Sequence, residues 1–150
     1  MKVESLIFDM DGTLWDSAAN VARSWAAVLD GMDDIGRKIT ENDIKGVMGM
    51  PMDAIAEKLF GHLPKDRQEA VMDACGSYEN DYLRKYGGEL YPRVEETLAI
   101  LSKLHRLFIV SNCQSGYIEA FLDHYGFAKY FVDKLCWGDT RKSKGESIQI

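Results

Sequence analysis

The chain has 150 residues, 46% of them apolar and 28% charged, the composition of an ordinary globular protein. A net charge of −6 argues against a nucleic-acid or anionic-membrane surface, and no apolar run approaches the ~20 residues that span a bilayer. Cys75, Cys113 and Cys136 are odd in number and lack C-x-x-C spacing, so neither a disulfide framework nor a zinc site is indicated, and with no secretory signal at the amino terminus the expected compartment is cytoplasmic.

Leu6-Ile7-Phe8 reads as a buried parallel strand. It delivers Asp9 and Asp11, two positions apart, to the strand's carboxyl end, where open α/β sheets bind ligands. Gly12 permits a tight turn whose backbone N–H groups can face an anion. Two acids beside such a turn would repel a phosphate, so a metal cation is implied. The run Asp9-Met10-Asp11-Gly12-Thr13 therefore suggests metal-assisted phosphoryl transfer with Asp9 as nucleophile. A lone Asp-Gly would be read as a simple turn. Here the apolar strand, both acids, the glycine and the threonine agree.

After Thr13 the period changes to helical. Ala18, Val21, Ala22, Trp25, Val28 and Leu29 form one apolar face that Gly31 stops. Thr40 with Asp43 resembles a capping box opening a short helix, closed by Gly46 or Gly49. Pro51 suits the first turn of another helix, ended by Gly61. A longer helix is expected from about Asp66 to Tyr86, with Val71, Cys75, Tyr78, Tyr82 and Tyr86 on a packing face and Gly87-Gly88 as a hinge. No strand is expected between Ser17 and Gly88.

The α/β rhythm then resumes. Val94, Leu98, Leu101 and Leu104 mark a helix face, Arg106–Val110 a buried strand, and Tyr117–Tyr125 a helix stopped by Gly126. Tyr130–Leu135 reads as a third strand or a short helix. Ser111-Asn112 follows the second strand and so reaches the same edge as Asp9, where a hydroxyl and an amide can donate to a phosphate oxygen. Cys113 reads as a packing residue, and His62, His105 and His124 as surface or packing residues.

The D-x-D-G-T run at 9–13 resembles the first motif of the haloacid dehalogenase-like hydrolases, most closely their phosphoglycolate phosphatase-type branch with a small helical cap. The resemblance implies an α/β fold: a Rossmann-like parallel sheet core flanked by helices, residues 1–14 and 89–150, with an inserted helical cap over 15–88. It implies a Mg²⁺ cofactor held by the Asp9 carboxylate and the Asp11 backbone carbonyl, and an aspartyl-phosphate intermediate. In that pattern Asp9 attacks phosphorus, while Asp11 protonates the leaving oxygen and then activates water. Dehalogenating members lack the second acid, so Asp11 favours phosphate esters. Ser111 matches the second motif.

A lysine bridging the nucleophile and the phosphate is expected from Lys144, at the head of Ser143-Lys144-Gly145-Glu146, with Lys142 second and Arg141 also a candidate. Gly12, Ser111, Asn112 and Lys144 are thus the expected phosphate-binding residues. Trp15, Asp16 and the Gly49-Met50-Pro51-Met52 loop are, by the same resemblance, candidates to face substrate. The family's further acids, usually G-D-x-x-x-D, are missing, and Gly138-Asp139-Thr140 is only a superficial likeness. The core is therefore expected to be incomplete at the carboxyl terminus, through truncation or because another group finishes the site. The function implied is a Mg²⁺-dependent phosphatase of a small phosphorylated metabolite, with no nucleic-acid or membrane partner. The alternative is a truncated or non-catalytic domain that binds metal or phosphate without turnover; a mutase is a third reading. Neither the ester nor the oligomeric state can be read from the sequence.

Overall fold

The computed structural model describes residues 3–149. Strand β1 (Ser5–Phe8) runs into the acidic turn, and a two-residue strand, β2 (Trp15–Asp16), follows. Four helices come next: α1 (Ala18–Leu29), α2 (Glu41–Lys45), α3 (Met52–Phe60) and α4 (Lys65–Tyr86). Strand β3 (Glu89–Leu90) pairs antiparallel with β2, Trp15 opposite Leu90, so the helical stretch leaves and re-enters through one short ribbon. Helix α5 (Val94–Leu101), strand β4 (Arg106–Ser111), helix α6 (Tyr117–Tyr125) and strand β5 (Asp133–Cys136) restore the alternation. Two helical turns follow, α7 (Trp137–Thr140) and α8 (Lys144–Ser147). The fold is α/β, with a parallel sheet of order β1-β4-β5 flanked by helices.

Local chemistry explains most boundaries. The Thr40 hydroxyl accepts the Asp43 N–H while the Asp43 carboxylate accepts the Thr40 N–H, and Gly46 closes α2. Pro51 sits at the head of α3, and its φ of −58° suits a helix entrance. Gly126 ends α6 with φ +68°, a conformation a side chain would strain. A 3₁₀ turn at Ala128–Tyr130 leads into β5, so the Tyr130–Leu135 stretch divides between the two forms expected of it.

Four expectations are corrected. The run Leu6-Ile7-Phe8 is parallel to β4 but is not buried: β1 is an edge strand among the described residues, and Ile7 is 48% exposed. Helix α4 buries Val71, Met72, Cys75, Gly76, Glu79 and Leu83, not the tyrosine stripe. Tyr78, Tyr82 and Tyr86 instead lie along its outer side, packed ring against ring. Leu104 falls beyond the end of α5, in a turn, and is exposed. Trp15, a candidate to face substrate, is fully buried against Tyr117, Phe121 and Tyr125 with edge-on ring geometry. Its neighbour Asp16 accepts the Ala18 N–H at 3.0 Å and so anchors the start of α1. Among the described residues no helix is long and apolar enough to cross a membrane.

Candidate active site

The parallel register decides what meets at the sheet's carboxyl edge. Phe8 lies opposite Ile109 and Ser111 opposite Cys136, so Asp9, Ser111 and the start of α7 leave the sheet on one side. Side chains alternate along the exit of β1. Met10 is fully buried and plugs the core, which leaves Asp9 and Asp11 on the other face. The turn beyond is closed by the N–H groups of Thr13 and Leu14, both donating to the Met10 carbonyl. Gly12 adopts φ +77° there, and its N–H donates to the Trp15 carbonyl at 3.0 Å. The N–H groups of Gly12, Thr13 and Leu14 are therefore spent inside the turn rather than aimed at an anion.

Asp9 stands at the end of β1 with one oxygen doubly engaged. Its Oδ1 accepts the Met10 N–H at 2.8 Å and lies 2.7 Å from the Lys144 ammonium. Lys144 is brought there by two devices. Ser143 and Glu146 form a reciprocal cap on α8, and the Lys144 N–H donates to Asn112 Oδ1 at 3.1 Å. Of the three basic candidates only Lys144 pairs with Asp9. Arg141 lies over the Trp137 ring, 4.6 Å from its centroid, and the Lys142 N–H serves the loop by donating to Thr140 Oγ1.

Asp11 is held differently. Its Oδ1 accepts Tyr117 Oη–H at 2.6 Å, Trp15 Nε1–H at 3.0 Å and Ser17 Oγ–H at 3.4 Å. Burial pushes its carboxyl up to about 6; the Tyr117 and Trp15 donors oppose that rise and the Asp9 charge adds to it. A carboxyl so placed can both hold and release a proton near neutrality. Tyr117, itself buried beside Asp11 and Glu79, has its phenol held well above the ordinary value.

Ser111 and Asn112 follow β4 as expected, but their side chains divide the work. Ser111 is buried at the edge and lines the same cavity as Asp11. Asn112 ties three segments together: its Nδ2–H donates to the Gly49 carbonyl at 3.0 Å while its Oδ1 receives Lys144. The Gly49-Met50 loop is thereby tied to the residue that follows β4. Cys113 is buried with its thiol raised by desolvation, as a packing residue should be. The three histidines each hold a backbone carbonyl: His62 that of Ile35, His105 that of Val3, His124 that of Arg84. Asp139 accepts the Ser115 hydroxyl and the Cys136 thiol, interactions that fasten α7 to the loop after β4.

A hard divalent cation takes oxygen ligands, often one or two carboxylates completed by phosphate and water. Both contacts of Asp9 fall on Oδ1, and no partner engages its Oδ2 among the described residues. No third His, Cys, Asp or Glu gathers with the pair among the described residues. The two acids thus fit such an ion as a partial protein share.

Sequence reasoning missed a second buried acid. Glu79 of α4 accepts Trp25 Nε1–H and, at 3.0 Å, Gln114 Nε2–H, and burial pushes its carboxyl up to about 7. The signal was present: Val71, Cys75, Glu79 and Leu83 recur every four residues, an acid set within an apolar stripe. Tyr117 carried no comparable signal, because its partner Asp11 lies 106 positions away.

A family model described as haloacid dehalogenase-like hydrolase matches residues 6–149. The chain is 27% identical over 144 residues to the phosphoglycolate phosphatase of Vibrio parahaemolyticus, covering 89% of this chain and 60% of that protein. It is 29% identical over 155 residues to the phosphoglycolate phosphatase of Neisseria gonorrhoeae, covering 97% of this chain and 62% of the relative. In fold it resembles the crystal structure of a predicted phosphoglycolate phosphatase from Haemophilus somnus 129pt. The TM-score is 0.78 at 23% identity, over 93% of this chain and 64% of that one. The chain thus spans less than two thirds of the length of each of these three proteins.

Proposed function

The chain belongs to the haloacid dehalogenase-like hydrolases, and from that membership we propose that it acts as a Mg²⁺-dependent phosphatase on a small phosphorylated metabolite, carrying the phosphoryl group transiently on Asp9. The observation that carries the reading is the ion pair of Asp9 with Lys144, 2.7 Å apart at the carboxyl edge of the sheet. A lysine there offsets the repulsion between an attacking carboxylate and a phosphate, and keeps the carboxylate aligned for in-line displacement.

In the first step the Asp9 carboxylate bonds to phosphorus as the ester P–O bond breaks, and Asp11 gives the departing oxygen its proton. In the second Asp11 takes a proton from water, the water oxygen bonds to phosphorus, and the Asp9–phosphorus bond breaks. General acid–base help of this kind is typically worth ~10²–10⁴-fold. The donors on Asp11 Oδ1 fix its orientation through both steps. The Ser111 hydroxyl donates to a phosphate oxygen; Asn112 holds Lys144 and the Gly49 loop in place. The Asp9 carboxylate and the Asp11 backbone carbonyl would hold Mg²⁺, which when bound supplies positive charge against the phosphate oxygens. Residues 15–88 act as a cap whose Gly49-Met50 loop closes the site.

A second reading, a domain that binds phosphate without turnover, is favoured by one observation: the described residues gather only two acids at the edge. Hydrolysis of p-nitrophenyl phosphate separates the two. Turnover that needs Mg²⁺, stops with chelator and disappears in Asp9→Asn while the circular dichroism spectrum is kept supports the phosphatase. A folded chain without Mg²⁺-dependent turnover, or Asp9→Asn with wild-type turnover, overturns it.

A further inference from the structure

Between the acidic edge and the helical segment lies a cavity of about 50 Å³. That is room for roughly three to five water-sized groups at ~10–15 Å³ each. Asp11, Ser111 and Asn112 line it from the sheet edge, Met48 and Met50 from the loop after α2, and Met52 from the start of α3. Its one further charged lining residue is Glu79, and no lysine, arginine or histidine lines it among the described residues. Three basic side chains of the surrounding helical segment have partners of their own. Lys45 pairs with Glu41 at 2.6 Å, Arg37 with Asp43 at 2.6 Å, and Lys58 donates to the Gly46 carbonyl at 2.8 Å. Lys144 faces Asp9, on the side where phosphate would bind. The open groove beyond Met52 and Gln114 has one cation, Arg141, stacked on Trp137, against Asp53, Glu69 and Asp73.

An anionic group entering this cavity would lose its water and find no cation among the lining residues to replace it. A cationic group would lose its water as well, and of the four oxygens on Asp11 and Glu79 only Asp11 Oδ2 takes no donor among the described residues. Both Glu79 oxygens already take donors, from Trp25 and Gln114, and the Oδ1 of Asp11 takes three. Most of the remaining lining is apolar, methionine and aliphatic with the rings of Trp25 and Tyr117, which suits a short neutral carbon chain.

Resting on the phosphatase reading above, we infer that the alcohol released at this site is small and uncharged, and that 2-phosphoglycolate, whose leaving group bears a carboxylate, is a poor substrate for this chain.

The test compares kcat/KM for 2-hydroxyethyl phosphate, 2-phosphoglycolate and O-phosphoethanolamine, three esters of similar size and different leaving-group charge, with p-nitrophenyl phosphate as a control for phosphatase activity. The expected result is a preference for 2-hydroxyethyl phosphate over either charged ester by roughly tenfold or more, the scale at which the lost hydration of an unpaired charge discriminates. In Met50→Arg, which adds a cation at the lining, the glycolate ester should gain and the ratio narrow. Equal or better hydrolysis of 2-phosphoglycolate or O-phosphoethanolamine by the wild type overturns the inference and leaves the phosphatase reading standing. No hydrolysis of any ester, the aryl phosphate included, overturns the phosphatase reading and takes this inference with it.

Discussion

Asp11 accepts three donors on a single oxygen, and that asymmetry sets its behaviour. A hydrogen bond to a charged group is worth about 1.5–3 kcal/mol, and ~1.4 kcal/mol is tenfold in rate. Tyr117→Phe keeps the ring against Trp15 and removes the shortest donor, so kcat should fall roughly tenfold with KM held. Steady-state kinetics on the variant measures the split; a change in KM alone would mean that Tyr117 serves substrate binding instead. Glu79 makes a stability prediction whose sign follows from protons. Burial raises its carboxyl from 4.5 to about 7 in the folded chain, so the folded state keeps a proton that the unfolded chain has released. Its contribution is fully present below the unfolded value and is lost as pH rises through about 7, on the order of 3 kcal/mol at ~1.4 kcal/mol per unit. Urea unfolding at about pH 5 and about pH 8 should show that loss in the wild type and a flatter profile in Glu79→Gln. Parallel profiles would show that Glu79 titrates normally.

At the scale of elements, the legible ones carried their own punctuation. The Thr40–Asp43 box, Pro51, Gly61 and Gly126 are local signals, so the sequence marks α2, α3 and α6 within a residue or two of their observed ends. Strands β2 and β3 have two residues each, too few for an alternation to register, and their pairing joins positions far apart in the chain. The tyrosines of α4 misled because aromatic residues at helical spacing read as core, whereas the true buried face runs through Glu79 and Leu83, one position later. Within the site, the acids and Ser111 follow strand ends and so are legible from the sequence, and Lys144 is singled out through the family resemblance, while Trp25, Gln114 and Tyr117 meet their partners only through folding. Helix α7 offers the strictest test of local packing. A Cβ on Gly138 would lie 2.1 Å from the Ser115 backbone nitrogen and 2.7 Å from the Gln114 carbonyl carbon, neither of which can swing aside. Gly138→Ala should therefore destabilise by about 1–3 kcal/mol, read by urea unfolding. Unchanged stability would mean that α7 moves freely against the loop after β4.

Across the whole molecule, the two acids matter only because distant segments converge on them. The ribbon of β2 and β3 holds the helical stretch at the sheet edge, Asn112 ties the Gly49 loop and α8 to β4, and Lys144 reaches back to Asp9. Gln114 links α4 to the same loop through both Glu79 and Asn80. These connections gather Asp9, Asp11, Ser111 and Lys144 at one edge, where the proposed phosphoryl transfer onto Asp9 would occur. The transfer itself can be caught. Mixing the chain with Mg²⁺ and a radiolabelled phosphate ester, quenching in acid within the first turnover and mapping the label by mass spectrometry should place phosphate on Asp9, with none retained in Asp9→Asn. Steady hydrolysis with no label at Asp9 at any quench time, or label on another residue, would contradict the covalent role assigned to that carboxylate.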